Sequence, residues 1–387
     1  MKNLPLASST WDKSEIDAIM RVIKNDRYTM GNAVQKFEQE FAKYFGSKYA
    51  VMVNSGSSAN LLAIAALCYK KENPLQAEDE IIVPSLSWST TYYPVQQYNM
   101  KLVFVDINLN TLNIDCNLIE NAITNKTKSI LVPNILGNPA NLIKLKQICE
   151  KYNLYLIEDN CESMGSKLNN KYTGTYGICG TFSTFFSHHI STMEGGMIVT
   201  DNEELYHIML AMRSHGWTRH LPEKNTIYKK SADSFYESFN FILPGYNIRP
   251  VEMSGAIGIE QLKKLDQLIK IRRSNAAVFK NLFEHDDRFI IQQENGQSSW
   301  FGFSMIINNL SIKRNDVLKI LDQHNIEFRP VISGNILRHK VIKYLSHRIV
   351  GTHKNSNTVH DQGFFIGNHH IDIQKQLSEL KQCLKKL

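Results

Sequence analysis

Two adjacent histidines, His188 and His189, follow the apolar run Gly180-Thr181-Phe182-Ser183-Thr184-Phe185-Phe186-Ser187 and precede Ile190-Ser191-Thr192-Met193-Glu194-Gly195-Gly196. A neutral imidazole is a base poised near physiological pH. Neighbours on extended backbone point to opposite sides, so at most one of the pair faces a given pocket, and the two make a poor metal pair. A purely structural histidine accounts for the pattern as well. A second group, Leu156-Ile157-Glu158-Asp159-Asn160-Cys161-Glu162, puts carboxylates at the end of an apolar run. A carboxylate there can pair with a protonated heterocyclic nitrogen or cap a helix. A third, Asn54-Ser55-Gly56-Ser57-Ser58-Ala59-Asn60, offers small residues, hydroxyls and free N–H groups suited to a phosphate. It is neither a G-x-G-x-x-G nor a Walker loop, and a plain Ser-capped turn explains it equally. Trp88 could stack on a flat ring or pack in a core. Gly245-Tyr246-Asn247-Ile248-Arg249-Pro250 stands just ahead of a long helical pattern.

The elements that position these groups are legible. Asp12-Lys13-Ser14 starts a helix that runs to about Asn25. Val34, Phe37, Phe41 and Phe45 recur at helical spacing until Gly46. Short apolar strands over 49–54, 80–84, 101–106, 129–133 and 154–159 alternate with helices near 58–71, 116–122 and 142–151. That alternation predicts an α/β fold with a mostly parallel sheet, whose strand ends bind ligands. Strands over 181–186 and 197–200 flank an irregular turn, and a helix follows near 203–213. The pattern over 251–282 is one long helical stretch that allows a single break. After it come strands over 288–293 and 300–307, then helices near 313–324 and 374–386. The expectation is a large domain over 1–250 and a long linking helix with a smaller α+β domain over 251–387.

Composition sets the outer bounds. The 387 residues are 43% apolar and 21% charged, as in an ordinary folded enzyme. The apolar run at 61–68 is too short for a bilayer, and the N-terminus lacks a secretory h-region, so a cytoplasmic protein is expected. Residues 201–387 hold 26 basic against 19 acidic side chains and carry the whole net charge of +7. This suits an anionic ligand or a solvated surface. The charges form no nucleic-acid stripe, and no membrane contact is expected. The six cysteines include no C-x-x-C pair, and no metal site is expected.

In order along the chain, Phe37-Glu38 with Phe41-Ala42, Asn54-Ser55-Gly56-Ser57, Glu158-Asp159, Phe182-Ser183, Glu194-Gly195-Gly196, Gly245-Tyr246-Asn247-Ile248-Arg249 and Ala256-Ile257-Gly258 resemble the DegT/DnrJ/EryC1/StrS sugar aminotransferases. These are pyridoxal-phosphate enzymes of fold type I, with an aspartate-aminotransferase-like large domain. The resemblance implies that Gly56 and Ser57 bind the cofactor phosphate and that Ser183 adds a hydroxyl. Trp88 would stack on the ring, Asp159 would hold the pyridinium N–H, and Glu162 would lie near the ring substituents. Asn247 would reach the phosphate of a neighbouring subunit, so the sites would be shared in a homodimer. Sugar-nucleotide contacts are expected from Asp26, Arg27, Tyr28 and Thr29, from His215 and Arg219, and from Glu327 or Arg329.

The family's aminotransferases carry a lysine five residues after the phosphate-binding serine, and it bonds covalently to the cofactor. This chain has His188 there. Imidazole cannot form that bond, so the resemblance implies pyridoxal or pyridoxamine phosphate held non-covalently. The family's 3-dehydratases show the same replacement, and the run Phe186-Ser187-His188-His189-Ile190 fits them. The implied reaction uses glutamate as amino donor and removes the C3 hydroxyl of a GDP-linked 4-keto-6-deoxymannose. His188 would carry the proton, and ammonia and a 3,6-dideoxy-4-keto sugar would be released. A related iron–sulfur dehydratase needs clustered C-terminal cysteines, but here only Cys383 lies beyond Cys179. The alternatives are a nucleotide-sugar 4-aminotransferase using His188 as proton shuttle, and a catalytically inactive relative.

Overall fold

The computed structural model describes residues 4–309 and 311–387. Helix α1 (Lys13–Lys24) begins where Asp12 accepts the Ser14 N–H and Glu15 accepts the Asp12 N–H, a reciprocal cap. Helix α2 (Asn32–Phe45) ends at Gly46, which takes the left-handed conformation. Then follow β1 (Tyr49–Val53), α3 (Gly56–Leu67), β2 (Glu80–Pro84), α4 (Ser89–Gln97), β3 (Lys101–Val105), β4 (Thr127–Pro133), α5 (Leu142–Tyr152) and β5 (Tyr155–Asp159). A small hairpin, β6 (Lys167–Leu168) and β7 (Lys171–Tyr172), precedes β8 (Cys179–Ser183), β9 (Gly196–Thr200), α6 (Glu203–Met212) and α7 (Ser234–Glu237).

The long helix α8 (Glu252–Phe283) is continuous, without the break its sequence allows. It is followed by β10 (Phe289–Ile291), β11 (Gly302–Ile307), α9 (Arg314–Gln323), β12 (Phe328–Arg329), β13 (His347–Ile349), α10 (Lys354–Gln362), β14 (Gly363–Gly367) and α11 (Gln374–Cys383).

Eight strands form the main sheet in the order β1-β9-β8-β5-β4-β2-β3-β13. Only β9 runs against the rest, so the expected mostly parallel sheet is present. Helix α3 is apolar all round and packs in the core beside β1, β8 and β9. Phe41 and Phe45 of α2 pack against Phe182 of β8. A second, antiparallel sheet β10-β11-β14-β12 has its own core around Phe279, Phe283, Phe303 and Leu377. The chain crosses the division proposed at residue 250 in both directions. Strand β13 extends the main sheet, where Arg348 pairs with Glu80, and Leu4 is buried in the smaller core.

Two expectations need correction. The helix expected near 116–122 is a single 3₁₀ turn, Glu120–Ala122, since Asp115 takes the Asn117 N–H and a local turn replaces the helix start. Helix α4 was not among the expected helices, and it contains Pro94, a residue that interrupts helical hydrogen bonding. Its missing N–H leaves Thr90 O open, and that carbonyl faces the Asn60 amide at 3.5 Å. Among the described residues no helix is long and apolar enough to cross a membrane.

Candidate active site

The C-terminal ends of β1, β2, β4, β5 and β8 converge on one cavity of about 310 Å³, large enough for a cofactor-sized ligand. At the end of β5, alternation sends Glu158 and Asp159 opposite ways. Glu158 is buried and accepts the N–H groups of Gly174, Tyr176 and Gly177, so it shapes a loop. Asp159 lines the cavity. Its Oδ2 accepts from Asn60 Nδ2 (2.8 Å) and Thr91 Oγ1 (2.9 Å), and its Oδ1 accepts from Cys161 N (3.1 Å). Asn60 is fixed in turn by Thr181, and Thr91 by Ser87. The carboxylate is therefore held in one orientation before any ligand arrives.

Beside it, the N-terminus of α3 opens into the cavity. Ser55 caps the helix by accepting the Ser58 N–H at 3.0 Å. A Cβ on Gly56 would lie 2.6 Å from Ser183 Cβ, so only glycine leaves space between the helix end and the Ser183 hydroxyl. Ser57 Oγ donates to Thr90 Oγ1 at 2.9 Å. Trp88, the residue just before α4, lines the cavity and is 57% exposed.

Glu162 and His188 face the same space. Burial pushes the Glu162 carboxyl up to about 8, against the Leu136 N–H that bonds its Oε2, and the nearby Asp159 adds to the rise. At neutral pH it is a neutral acid able to donate. Burial also lowers His188 to about 4, with the Arg272 charge as the second cause, so its imidazole is neutral. The His188 ring stays accessible through the cavity mouth while protein surrounds the rest of it. His189 points away, is fully buried, and lies 3.1 Å from Ser299 O through Nε2.

Among the described residues lining the cavity there is no lysine, and Arg329 supplies the one guanidinium. The remaining substrate candidates, and Asn247 of the cofactor set, stand elsewhere. Asp26, Arg27, Tyr28 and Thr29 form an exposed loop between α1 and α2. Asn247 is exposed and accepts from Arg249 Nε. His215 is exposed, and Arg219 stacks over Trp217 in a surface groove. Glu327 binds the Leu6 N–H and so ties down the N-terminal segment, which leaves Arg329 as the member of that pair on the cavity. Asn60 and Thr91 were missed. Asn60 had a signal, being a polar residue inside an otherwise apolar helix. Glu194, Phe301 and Phe365 also line the wall, and the last two arrive from the smaller domain.

The residues present fit pyridoxal phosphate. A helix end that a single Cβ would close offers N–H groups to a phosphate, a fixed carboxylate awaits a ring nitrogen, and an uncovered indole flanks the gap. Sheet, site and smaller domain together are those of an aminotransferase-fold, pyridoxal-phosphate-dependent enzyme. More narrowly, residues 9–378 match the DegT/DnrJ/EryC1/StrS aminotransferase family, and the chain belongs to it.

Among its relatives, a GDP-4-keto-6-deoxy-D-mannose 3-dehydratase of Yersinia pseudotuberculosis is 54% identical over 389 residues, covering 100% of this chain and 99% of that protein. The E. coli GDP-4-keto-6-deoxy-D-mannose-3-dehydratase solved with hydrated PLP superposes with a TM-score of 0.97 at 53% identity, over 99% of this chain and 100% of that one. A structure of a GDP-4-keto-6-deoxymannose-3-dehydratase with a trapped PLP–glutamate geminal diamine has the same TM-score at 52% identity, over 98% and 100%.

Proposed function

We propose that this enzyme is a 3-dehydratase of GDP-4-keto-6-deoxy-D-mannose. It would use non-covalently held pyridoxal and pyridoxamine phosphate and serve colitose and O-antigen synthesis. The carrying observation is His188 at the cavity, with no lysine among the described lining residues. The near-full-length likeness to named dehydratases supports the substrate, and the relative trapped with PLP and glutamate supports glutamate as amino donor. When bound, the cofactor supplies an amine for the C4 ketone and an electron sink for expulsion of the C3 hydroxyl.

The chain's own residues do the rest. Gly56 and Ser57 bind phosphate at the positive end of α3, with Ser183 beside them. Asp159 holds the proton on the ring nitrogen. Trp88 covers the ring and excludes water. Glu162, neutral at pH 7, donates to a ring substituent. His188 takes a proton at the cofactor C4′ carbon and delivers it to the departing C3 oxygen. General acid–base help of this kind contributes about 10²–10⁴-fold. Arg329 meets an anionic group of substrate or donor.

Asn247, His215, Arg219 and the 26–29 loop lie outside their own chain's cavity, and this supports their serving a neighbour's site in a homodimer. So does an exposed aromatic surface, where Phe239, 71% exposed, stacks on Trp217 and Phe235 is 88% exposed. A cytoplasmic location belongs to the same reading.

Incubation with pyridoxal phosphate, glutamate and the GDP-sugar should release ammonia and a sugar lacking its C3 hydroxyl, as seen by NMR. A 4-amino sugar with the C3 hydroxyl intact would make the enzyme an aminotransferase instead. No turnover with the cofactor bound would make it an inactive relative.

A further inference from the structure

Arg272 lies midway along α8 and is only 4% exposed. Its two hydrogen bonds among the described residues go to main-chain oxygens, from Nη1 to Phe301 O (3.2 Å) and to Asn368 O (2.7 Å). Among the described residues its Nε has no hydrogen-bond partner and no carboxylate offsets its burial. A buried cation without a counter-charge is costly, and such departures from good packing concentrate at functional sites.

The backbone that Arg272 holds belongs to a loop pressed against the cofactor cavity. Phe301 is pinned from its other side as well, since its N–H donates to Leu136 O at 2.9 Å and the Leu136 N–H donates to Glu162 at 3.0 Å. Trp300 beside it sits at φ 48°, a left-handed conformation costly for a bulky residue and kept only where surroundings enforce it. The surroundings here include Asn368 Nδ2, which donates to Trp300 O at 2.8 Å. The ring that this anchoring places lines the cavity and stands edge-on to His188, with centroids 5.2 Å apart and planes at 67°.

We infer that Arg272 and Phe301 are positioning residues for His188: the guanidinium clamps the Phe301 main chain, and the phenyl ring sets the imidazole plane and keeps water from its back. This deepens the reading of His188 as the proton carrier and rests on it. Arg272 also acts through its charge, which opposes a second positive charge on His188. The other charged or titratable groups around His188 are Asp159, Cys161 and Glu162 at the end of β5, His189 and Glu194 on its own loop, and Arg329 from β12. Of these groups Glu162 and Cys161 are held neutral by burial, and the charge that opposes imidazolium is that of Arg272.

The test is an NMR titration of histidine-labelled, cofactor-free protein, with the His188 signal identified by its loss in His188→Asn. Arg272→Met and Phe301→Ala should each move the His188 midpoint up from about 4 toward the ordinary histidine value. Arg272→Lys, which keeps the charge, should reverse most of that movement. With cofactor and saturating GDP-sugar, kcat should fall roughly tenfold to a hundredfold in Arg272→Met and Phe301→Ala while KM changes little. If Arg272→Met fails to fold, Phe301→Ala and Phe301→Leu decide. An unmoved midpoint in Phe301→Ala at near-native melting temperature overturns the inference. Wild-type protein that releases no ammonia refutes the dehydratase itself, and the titration still decides the positioning.

Discussion

On the proposed reading a single replacement, His188 where the resemblance places the lysine of the family's aminotransferases, separates two chemistries on one scaffold. His188→Asn should abolish product formation while leaving cofactor binding measurable by absorbance, because Asp159, Gly56 and Ser183 are untouched. His188→Lys should join the cofactor covalently, and borohydride reduction would fix it for detection as a mass increase; an unmodified chain would count against the placement of residue 188. Glu162 leads to a stability prediction. Its folded-state value, about 8, lies above that of an ordinary carboxyl. The folded chain therefore binds more protons than the unfolded one between those values, and stability falls as pH rises through that window. Glu162→Gln should raise the melting temperature of the cofactor-free protein, most of all at pH 8 and above. A melting temperature that does not gain on the wild type as pH rises would contradict the burial argument. The alternation argument assumed extended backbone, but His188 and His189 lie on a turn beyond the end of β8, where the His188 N–H donates to Phe185 O, and it was the resemblance that selected the first. Ser299 O, brought from 110 positions away, takes the second.

At the scale of elements, α3 carries the heaviest demand. It packs in the core and offers its N-terminus to the ligand. Gly56→Ala places a methyl against Ser183 and Cys161, and should weaken cofactor binding about tenfold or more, read by absorbance titration, with a lower melting temperature. The long helix α8 joins both domains, and Leu265 on its buried face is fully enclosed. Leu265→Ala should cost about 2–5 kcal/mol in denaturant unfolding. The apolar periods of α2, α8 and the strands were legible because burial on one face imposes them. Helix α4 was not, since Pro94 is a strong local stop signal and the neighbouring Asn60 side chain that faces the freed carbonyl lies far away in sequence.

For the whole molecule, the proposed dimer makes the sharpest claim. His188→Asn and Asn247→Ala should each be strongly impaired alone. Mixed and re-associated, they should recover about a quarter of wild-type activity, because half of randomly formed dimers are mixed and each holds one intact site. Recovery near zero, with mixed dimers shown by mass, would place Asn247 within its own chain's site.

The linear chain, through its alternating apolar strands and helices and its ordered short motifs, already determined the parallel sheet, the ligand site at its strand ends and the family resemblance, since these rest on local periodicity and local spacing. Only the tertiary structure decided that Asn60 and Thr91 orient Asp159, that Phe301 and Arg329 close the cavity from the smaller domain, and that β13 returns to the main sheet. Those contacts join residues tens to hundreds of positions apart, and no local pattern of hydrophobicity or charge encodes which distant partners meet.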